Sequence, residues 1–193
     1  MDQYSLNEKI TIGIVLYKED YNVIYKTLDK IRSFKIIIID NSFDLKLKKK
    51  IEDTFKIEKY ILNKKNLGFS TGYNQSVKLC KTDYFLILNP DCIIKEKSIL
   101  KLYDKMENDK NCFLTTATSY DKENKLKYTG GLLPENGDKK IPLNLKGDAC
   151  VENTLGSCML VRKKDFIDIG LFDEKFFLYF SDDELCRRIK KKK

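Results

Sequence analysis

Phe34-Lys-Ile-Ile-Ile-Ile-Asp-Asn-Ser42 places four consecutive isoleucines directly before an acid, an amide and a hydroxyl. An amphipathic strand would alternate apolar and polar residues. An unbroken β-branched run instead marks a strand buried on both faces, and hence a sheet with helices on either side. The polar triplet marks the point where that strand stops. The flanking chain agrees. Ile10–Tyr17 (ITIGIVLY) and Tyr84–Leu88 (YFLIL) are further apolar runs, the second ending at Asn89-Pro90-Asp91, and Ile57–Leu62 reads as another strand. Between them, Val23, Ile24, Leu28 and Ile31 recur at helical spacing within Tyr21–Arg32, as do Leu45, Leu47, Ile51 and Phe55 within Asp44–Phe55. Asn63–Tyr73 reads as a polar loop, Gly72–Lys81 as a helix, and Lys95–Glu107 as a helix with Ile99, Leu100, Tyr103 and Met106 facing inward. The alternation predicts an α/β fold with a mainly parallel central sheet flanked by helices. Such sheets bind ligands beyond the carboxyl ends of their strands, where Asp40 and Asp91 fall.

After Cys112 the pattern changes. Phe113–Tyr120, Lys125–Gly130 and Leu155–Arg162 read as strands, Gly131–Gly147 as a mobile loop, and Lys164–Gly170 as a short helix. Phe172–Asp183 is aromatic and acidic, and the chain stops in Arg187-Arg188-Ile189-Lys190-Lys191-Lys192-Lys193. With 193 residues, no internal repeat and no clean linker, one domain is expected. Lys and Arg total 37 against 29 acids, and the resulting +8 favours phosphate-bearing partners or an anionic membrane surface. The absence of histidine excludes Ser-His-Asp, Cys-His and His-zinc chemistry, leaving Asp, Glu, Lys, Tyr or Cys as a general base. The six cysteines form no C-x-x-C pair, which points to reduced, buried thiols in a cytosolic protein rather than a structural zinc site. Met1–Lys9 lacks the apolar region of a secretion signal, and no apolar run approaches the roughly 18 residues of a membrane span.

Four clusters carry candidate chemistry. Asp40, at a strand end, is placed to accept from a ribose hydroxyl or a base N–H; helix capping or turn chemistry accounts for it equally. Asn66-Leu-Gly-Phe-Ser-Thr-Gly-Tyr-Asn74 opens a helix, where free N–H groups suit phosphate. Its spacing is neither the dinucleotide fingerprint nor a P-loop, and a glycine turn explains it too. Asn89-Pro90-Asp91 ends a buried strand where a hard cation and a diphosphate would meet an acid; a proline turn is the structural alternative. In Ser181-Asp182-Asp183-Glu184, neighbouring carboxylates favour a proton-accepting role, and capping of a short helix is the competing account. The terminal lysines read as a solvated end or as an attraction to anionic lipid. No nucleic-acid-binding motif accompanies the charge.

Taken in order, these segments resemble the family 2 glycosyltransferases, particularly the rhamnosyltransferase-like branch. Ile12–Tyr17 is similar to the family's first strand, with Lys18 in place of asparagine, and Ile36–Ser42 to its second. Asn66–Asn74 matches N-x-G-F-x-x-G-x-N, and Leu88–Asp91 the L-N-P-D form of D-x-D, with Asn89 in place of the first acid. Gly156-Ser157 with Met159–Arg162 resembles the acceptor-side strand. Gly170–Arg188 resembles G-G-F-D-E-x-F-F-x-Y-x-E-D-x-D-L-C-x-R, with Ser181 in place of glutamate. The resemblance implies a GT-A-type, Rossmann-like fold in a single glycosyltransferase domain over 1–193. Residues 1–111 would be the nucleotide-sugar-binding half and 112–193 the acceptor-side half, with a natural or a truncated end both open. It implies an inverting transfer of a sugar, rhamnose being one candidate, from a nucleotide-diphosphate donor to a glycan or lipid-linked acceptor in cell-surface polysaccharide synthesis. The protein would be cytoplasmic, with peripheral contact at the inner face of the membrane, and would use Mg²⁺ or Mn²⁺. By the same resemblance Tyr17, Asp40, Asn66, Gly68, Gly72, Asn74, Asn89 and Asp91 contact the donor, and Asp91 holds the metal. Gly156 and Ser157 lie on the acceptor side, and Asp182 is the base with Asp183 its rival. A catalytically inactive nucleotide-sugar-binding protein is the alternative, and a sugar nucleotidyltransferase would need a glycine- and arginine-rich loop that Gly13 alone does not supply.

Overall fold

The computed structural model describes residues 7–128, 130–133, 141–142 and 147–192. Strand β1 (Ile10–Leu16) lies between β2 (Lys35–Asp40) and β4 (Tyr84–Leu88), parallel to both, and β3 (Lys59–Leu62) adds in parallel to β2. Beyond β4 come β10 (Cys158–Arg162) and β5 (Leu114–Thr115), with β10 antiparallel to each neighbour, giving the order β3-β2-β1-β4-β10-β5. The sheet is therefore mainly parallel and mixed at one side. Its register sets Leu16, Asp40 and Leu62 abreast, so these strand ends share one edge.

The isoleucine run behaves as its unbroken apolarity requires. Ile36, Ile37, Ile38 and Ile39 are all fully buried, but they divide by the two-residue period of a strand. Ile36 and Ile38 face helices α1 (Tyr21–Ile31), α2 (Leu45–Glu52) and α4 (Glu96–Asn108) through Ile24, Leu28, Ile51, Ile99 and Met106. Ile37 and Ile39 face α3 (Gly68–Leu79), α5 (Lys163–Asp168) and α6 (Ser181–Lys192) through Tyr73, Val77, Phe166 and Leu185. Burying an isoleucine contributes about 1.5–3 kcal/mol, so this strand anchors both layers. Helix α2 starts where Asp44 accepts from the Lys46 and Leu47 N–H groups; Asp44, not Asp40, is the cap.

Several expected boundaries are corrected. Helix α3 begins at Gly68, inside the stretch read as loop, because Phe69, Tyr73 and Val77 recur every fourth residue and give the polar segment one apolar stripe. The strand expected over Phe113–Tyr120 is broken into β5 and β6 (Ser119–Tyr120), and β6 pairs with β7 (Leu126–Tyr128) in a separate ribbon. The loop expected over Gly131–Gly147 contains β8 (Gly131–Leu132) paired with β9 (Ile141–Pro142); residues 134–140 and 143–146 lie outside the described residues. Not every thiol is buried, since Cys150 is exposed, and none of the six cysteines is in a disulfide. Among the described residues no helix is long and apolar enough to cross a membrane.

Arg162, at the end of β10, ties this sheet to the C-terminus of α4. Its guanidinium donates to the carbonyls of Cys112 (2.6 Å), Asp109 (3.2 Å) and Met106. Orphan carbonyls at a helix end need such partners. Arg162→Ala is expected to cost about 2 kcal/mol and to lower the melting temperature by about 6 °C. An unchanged melt would leave the guanidinium with no structural role.

Candidate active site

The carboxyl ends of β1, β2 and β4 form one rim. At the end of β1, Tyr17 is 45% exposed, and Lys18, in the left-handed region at φ 57°, holds its ammonium 5.3 Å from the Tyr17 ring centre. At the end of β2, Asp40 is fully buried: Oδ1 accepts from the Ser42 N–H (2.7 Å) and hydroxyl (2.5 Å), and Oδ2 from the Tyr60 hydroxyl (3.0 Å). Burial and the Asp40 charge push the Tyr60 phenol far above its ordinary range, so it stays a donor. Asp40 therefore builds this strand end internally and shows no oxygen to solvent.

At the end of β4, the Asn89 N–H donates to the Ser157 carbonyl (2.9 Å), and the Pro90 carbonyl accepts from Thr27 (2.7 Å). Asp91 is exposed just beyond. Glu19, half-buried in the segment after β1, has its carboxyl pushed up first by burial and then by the charge of Asp91. Two carboxyl groups within electrostatic reach of one another suit a hard divalent ion that takes its remaining oxygens from a diphosphate. Among the described residues no group of three or more potential metal ligands occurs.

Asn66–Asn74 acts as a clamp. Asn66 Oδ1 accepts from the Gly68 N–H (2.9 Å), and the Phe69 N–H donates to the Phe177 carbonyl (2.7 Å). Two donors at the start of α3 are thus paired within the protein. The Gly68 carbonyl accepts from the Asn41 amide (3.2 Å), and the Ser70 hydroxyl meets the Phe176 carbonyl (2.6 Å) and the Ser181 hydroxyl (2.8 Å). Gly72 packs on Val15, whose nearest carbons would lie 2.8 Å from any Cβ placed there. Asn74 uses both ends of its amide on the next segment: Nδ2 donates to the Phe172 carbonyl (2.9 Å) and Glu174 (3.0 Å), and Oδ1 accepts from the Phe172 N–H (3.1 Å). A cavity of about 510 Å³ beside it is lined by Lys78, Phe172, Glu174, Glu184 and Arg188, and does not include Tyr17, Asp40, Asp91 or Asp182.

The three acids opening α6 have separate partners. Asp182 Oδ2 accepts from the Gly156 N–H (2.7 Å), an approach that the missing Gly156 side chain permits, since a Cβ there would lie 3.0 Å from the Phe69 ring. Asp183 Oδ1 accepts from the Asn153 amide (2.6 Å). Glu184 binds Arg188 through two bonds (2.6 and 2.7 Å), and Arg188 also donates to the Ile169 and Leu171 carbonyls (2.5 Å each). Ser181, 1% exposed, occupies the buried position where a carboxylate would have to be desolvated. The bonds Asp182–Gly156 and Ser157–Asn89 join the acid helix to the strand end that carries Asp91. Beside them Phe177, Leu178, Tyr179 and Phe180 are all more than half exposed. Glu19, Tyr60 and Asn153 carry contacts at this rim outside every motif, and Asn41 and Ser70 do so within motifs that gave them no role.

Comparisons with known proteins bear on this arrangement. The sequence model of Glycosyl transferase family 2 matches residues 11–170. Rhamnosyltransferase WbbL of Escherichia coli K12 is 30% identical over 195 residues, covering 89% of this chain and 72% of that protein. The low-salt glycan biosynthesis hexosyltransferase Agl10 of Haloferax volcanii is 28% identical over 207 residues, covering 98% of this chain and 64% of that protein. Among solved structures, the mannosyltransferase PcManGT of Pyrobaculum calidifontis, in complex with GDP-Man and Mn²⁺, superposes with a TM-score of 0.63 at 11% identity. The superposition covers 94% of this chain and 51% of that one, so this chain spans about half the length of that structure.

Proposed function

The chain belongs to glycosyl transferase family 2 and is a glycosyltransferase of GT-A-type fold; from that membership we propose that it moves a hexosyl unit, rhamnose first among the candidates, from a nucleoside-diphosphate donor to a hydroxyl of a glycan or lipid-linked acceptor. The observation that supports this reading is the pair of bonds from Asp182 to Gly156 and from Ser157 to Asn89, which link an acid helix to the strand end bearing Asp91. In the proposed step the acceptor oxygen attacks the anomeric carbon and the bond from that carbon to the diphosphate breaks. The hydroxyl proton passes to Asp182, and the anomeric configuration inverts. Asp91, with Glu19 beside it, would hold Mg²⁺ or Mn²⁺, which when bound neutralises charge developing on the leaving diphosphate. Tyr17 offers the exposed ring at the nucleoside end, while Asp40 shapes that end through Ser42. Gly156 and Ser157 form the acceptor side of the wall. Cell-surface polysaccharide synthesis at the inner face of the membrane is the setting we propose.

The test is calorimetric titration of UDP, dTDP and GDP, each with and without Mn²⁺. One nucleotide is expected to bind at least about tenfold more tightly with the cation, a difference of about 1.4 kcal/mol. Asp91→Ala is expected to abolish that difference, and an unaltered cation dependence in this variant would remove Asp91 from the site. Failure of the folded protein to bind any of the three would overturn the reading.

A further inference from the structure

We propose that Asn153 is the positioning residue for Asp182: through Asp183 it sets the rotation of α6 that presents Asp182 to Gly156. Asn153 belongs to none of the sequence motifs, yet it is 1% exposed and committed at every polar group. Its N–H and carbonyl pair with the carbonyl and N–H of Gly131, both at 3.1 Å. Its Oδ1 accepts from the Tyr128 hydroxyl at 2.6 Å, and its Nδ2 donates to Asp183 at 2.6 Å. The Asp183 carboxylate can only accept, so it takes the NH₂ end of the amide and leaves the oxygen end to the Tyr128 hydroxyl. Burial, followed by the charges of Asp183, Cys186 and Asp182, pushes the Tyr128 phenol up to about 12, so that donor is retained.

The preceding residue grips the same helix stripe. Both Glu152 oxygens lie near the Lys190 ammonium (2.9 and 3.0 Å), which also donates to the Leu133 carbonyl (2.8 Å). Lys190 follows Asp183 by two helical turns, so Glu152 and Asn153 hold one face of α6 at two points. Asp182 lies roughly 100° around the helix from that face, and fixing the stripe fixes its direction. The same contact ties Asp183 to Asn153, as the Gly156 N–H ties Asp182 to the strand end across the rim.

This inference rests on the reading of Asp182 as the base. Its test is the Gly156 amide proton in the ¹⁵N-labelled chain, which a carboxylate partner holds downfield; Asp182→Ala supplies the position it takes when that partner is lost. Asn153→Asp turns the donor into a second acceptor against Asp183 and is expected to move the Gly156 resonance most of the way to the Asp182→Ala position. Asn153→Ala should move it less, and Tyr128→Phe should move it in the same direction. A merely structural Asn153 would lower the melting temperature and leave the resonance where it is. An unmoved resonance in folded Asn153→Asp overturns the proposal, and Tyr128→Phe, which loses one oxygen and little volume, decides by the same criterion should the others not fold. Failure of the wild-type chain to bind any nucleotide would remove the base reading while the amide result stood on its own.

Discussion

Asp182→Asn is expected to reduce sugar transfer by roughly two to four orders of magnitude while leaving donor nucleotide binding intact. The substitution keeps the side chain's shape and retains an oxygen for the Gly156 N–H that Asp182 now accepts at 2.7 Å. What it removes is the capacity to take a proton. Asp183→Asn should be far milder, because the contact Asp183 makes is to the Asn153 amide, and an asparagine oxygen still accepts it. Glu184→Gln should act on stability, since that carboxylate balances Arg188 and the turn carbonyls it gathers. Turnover with the nucleotide found by titration, measured beside its affinity, separates the three. An inactive Asp183→Asn with an active Asp182→Asn would transfer the role of base one residue along.

Gly68→Ala carries the largest expected cost in stability, about 3 kcal/mol, or roughly 6–12 °C in melting temperature. Two effects add. Gly68 sits at φ +80°, where a side chain costs about 1–2 kcal/mol. A Cβ there would also lie 2.3 Å from the Phe177 carbonyl oxygen, a backbone atom that cannot step aside as a side chain would. That oxygen already receives the Phe69 N–H at 2.7 Å, so relief of the clash must break the bond joining α3 to the aromatic segment. A thermal melt decides, and a wild-type value would mean that 176–180 can shift without loss.

The sheet was legible because its signals are local. Four isoleucines in sequence report burial on two faces wherever they occur, and the strand ends that carry Asp40 and Asp91 follow from where those runs stop. The beginning of α3 was obscured because its polar residues outnumber the single stripe of Phe69, Tyr73 and Val77 that makes it helical. Asp40 illustrates a different limit: a carboxylate at a strand end has one sequence signature whether it faces a ligand or a neighbouring hydroxyl, and spacing does not reveal that Tyr60, 20 residues away, donates to it. The division of labour between Asp182 and Asp183 was illegible for the same reason. Their partners at 156 and 153 are chosen by packing between segments, of which spacing carries no record, whereas Glu184 and Arg188 are an i,i+4 pair on one helix.

The mixed side of the sheet has a consequence for how the chain can be divided. Strand β4, all five of whose residues are buried, receives β1 from the first part of the chain and β10 from the last, in registers that run Ile10↔Tyr84 and Cys158↔Leu88. Without β10, one side of β4 would become an open edge with a row of unpaired N–H and carbonyl groups flanked by Phe85, Leu86, Ile87 and Leu88. Such an edge is a template for another strand and invites self-association. Sequence position suggests a seam near residue 111, but the hydrogen-bond ladder crosses it, so the strand at the centre of the sheet is completed only once the chain has been made as far as Arg162.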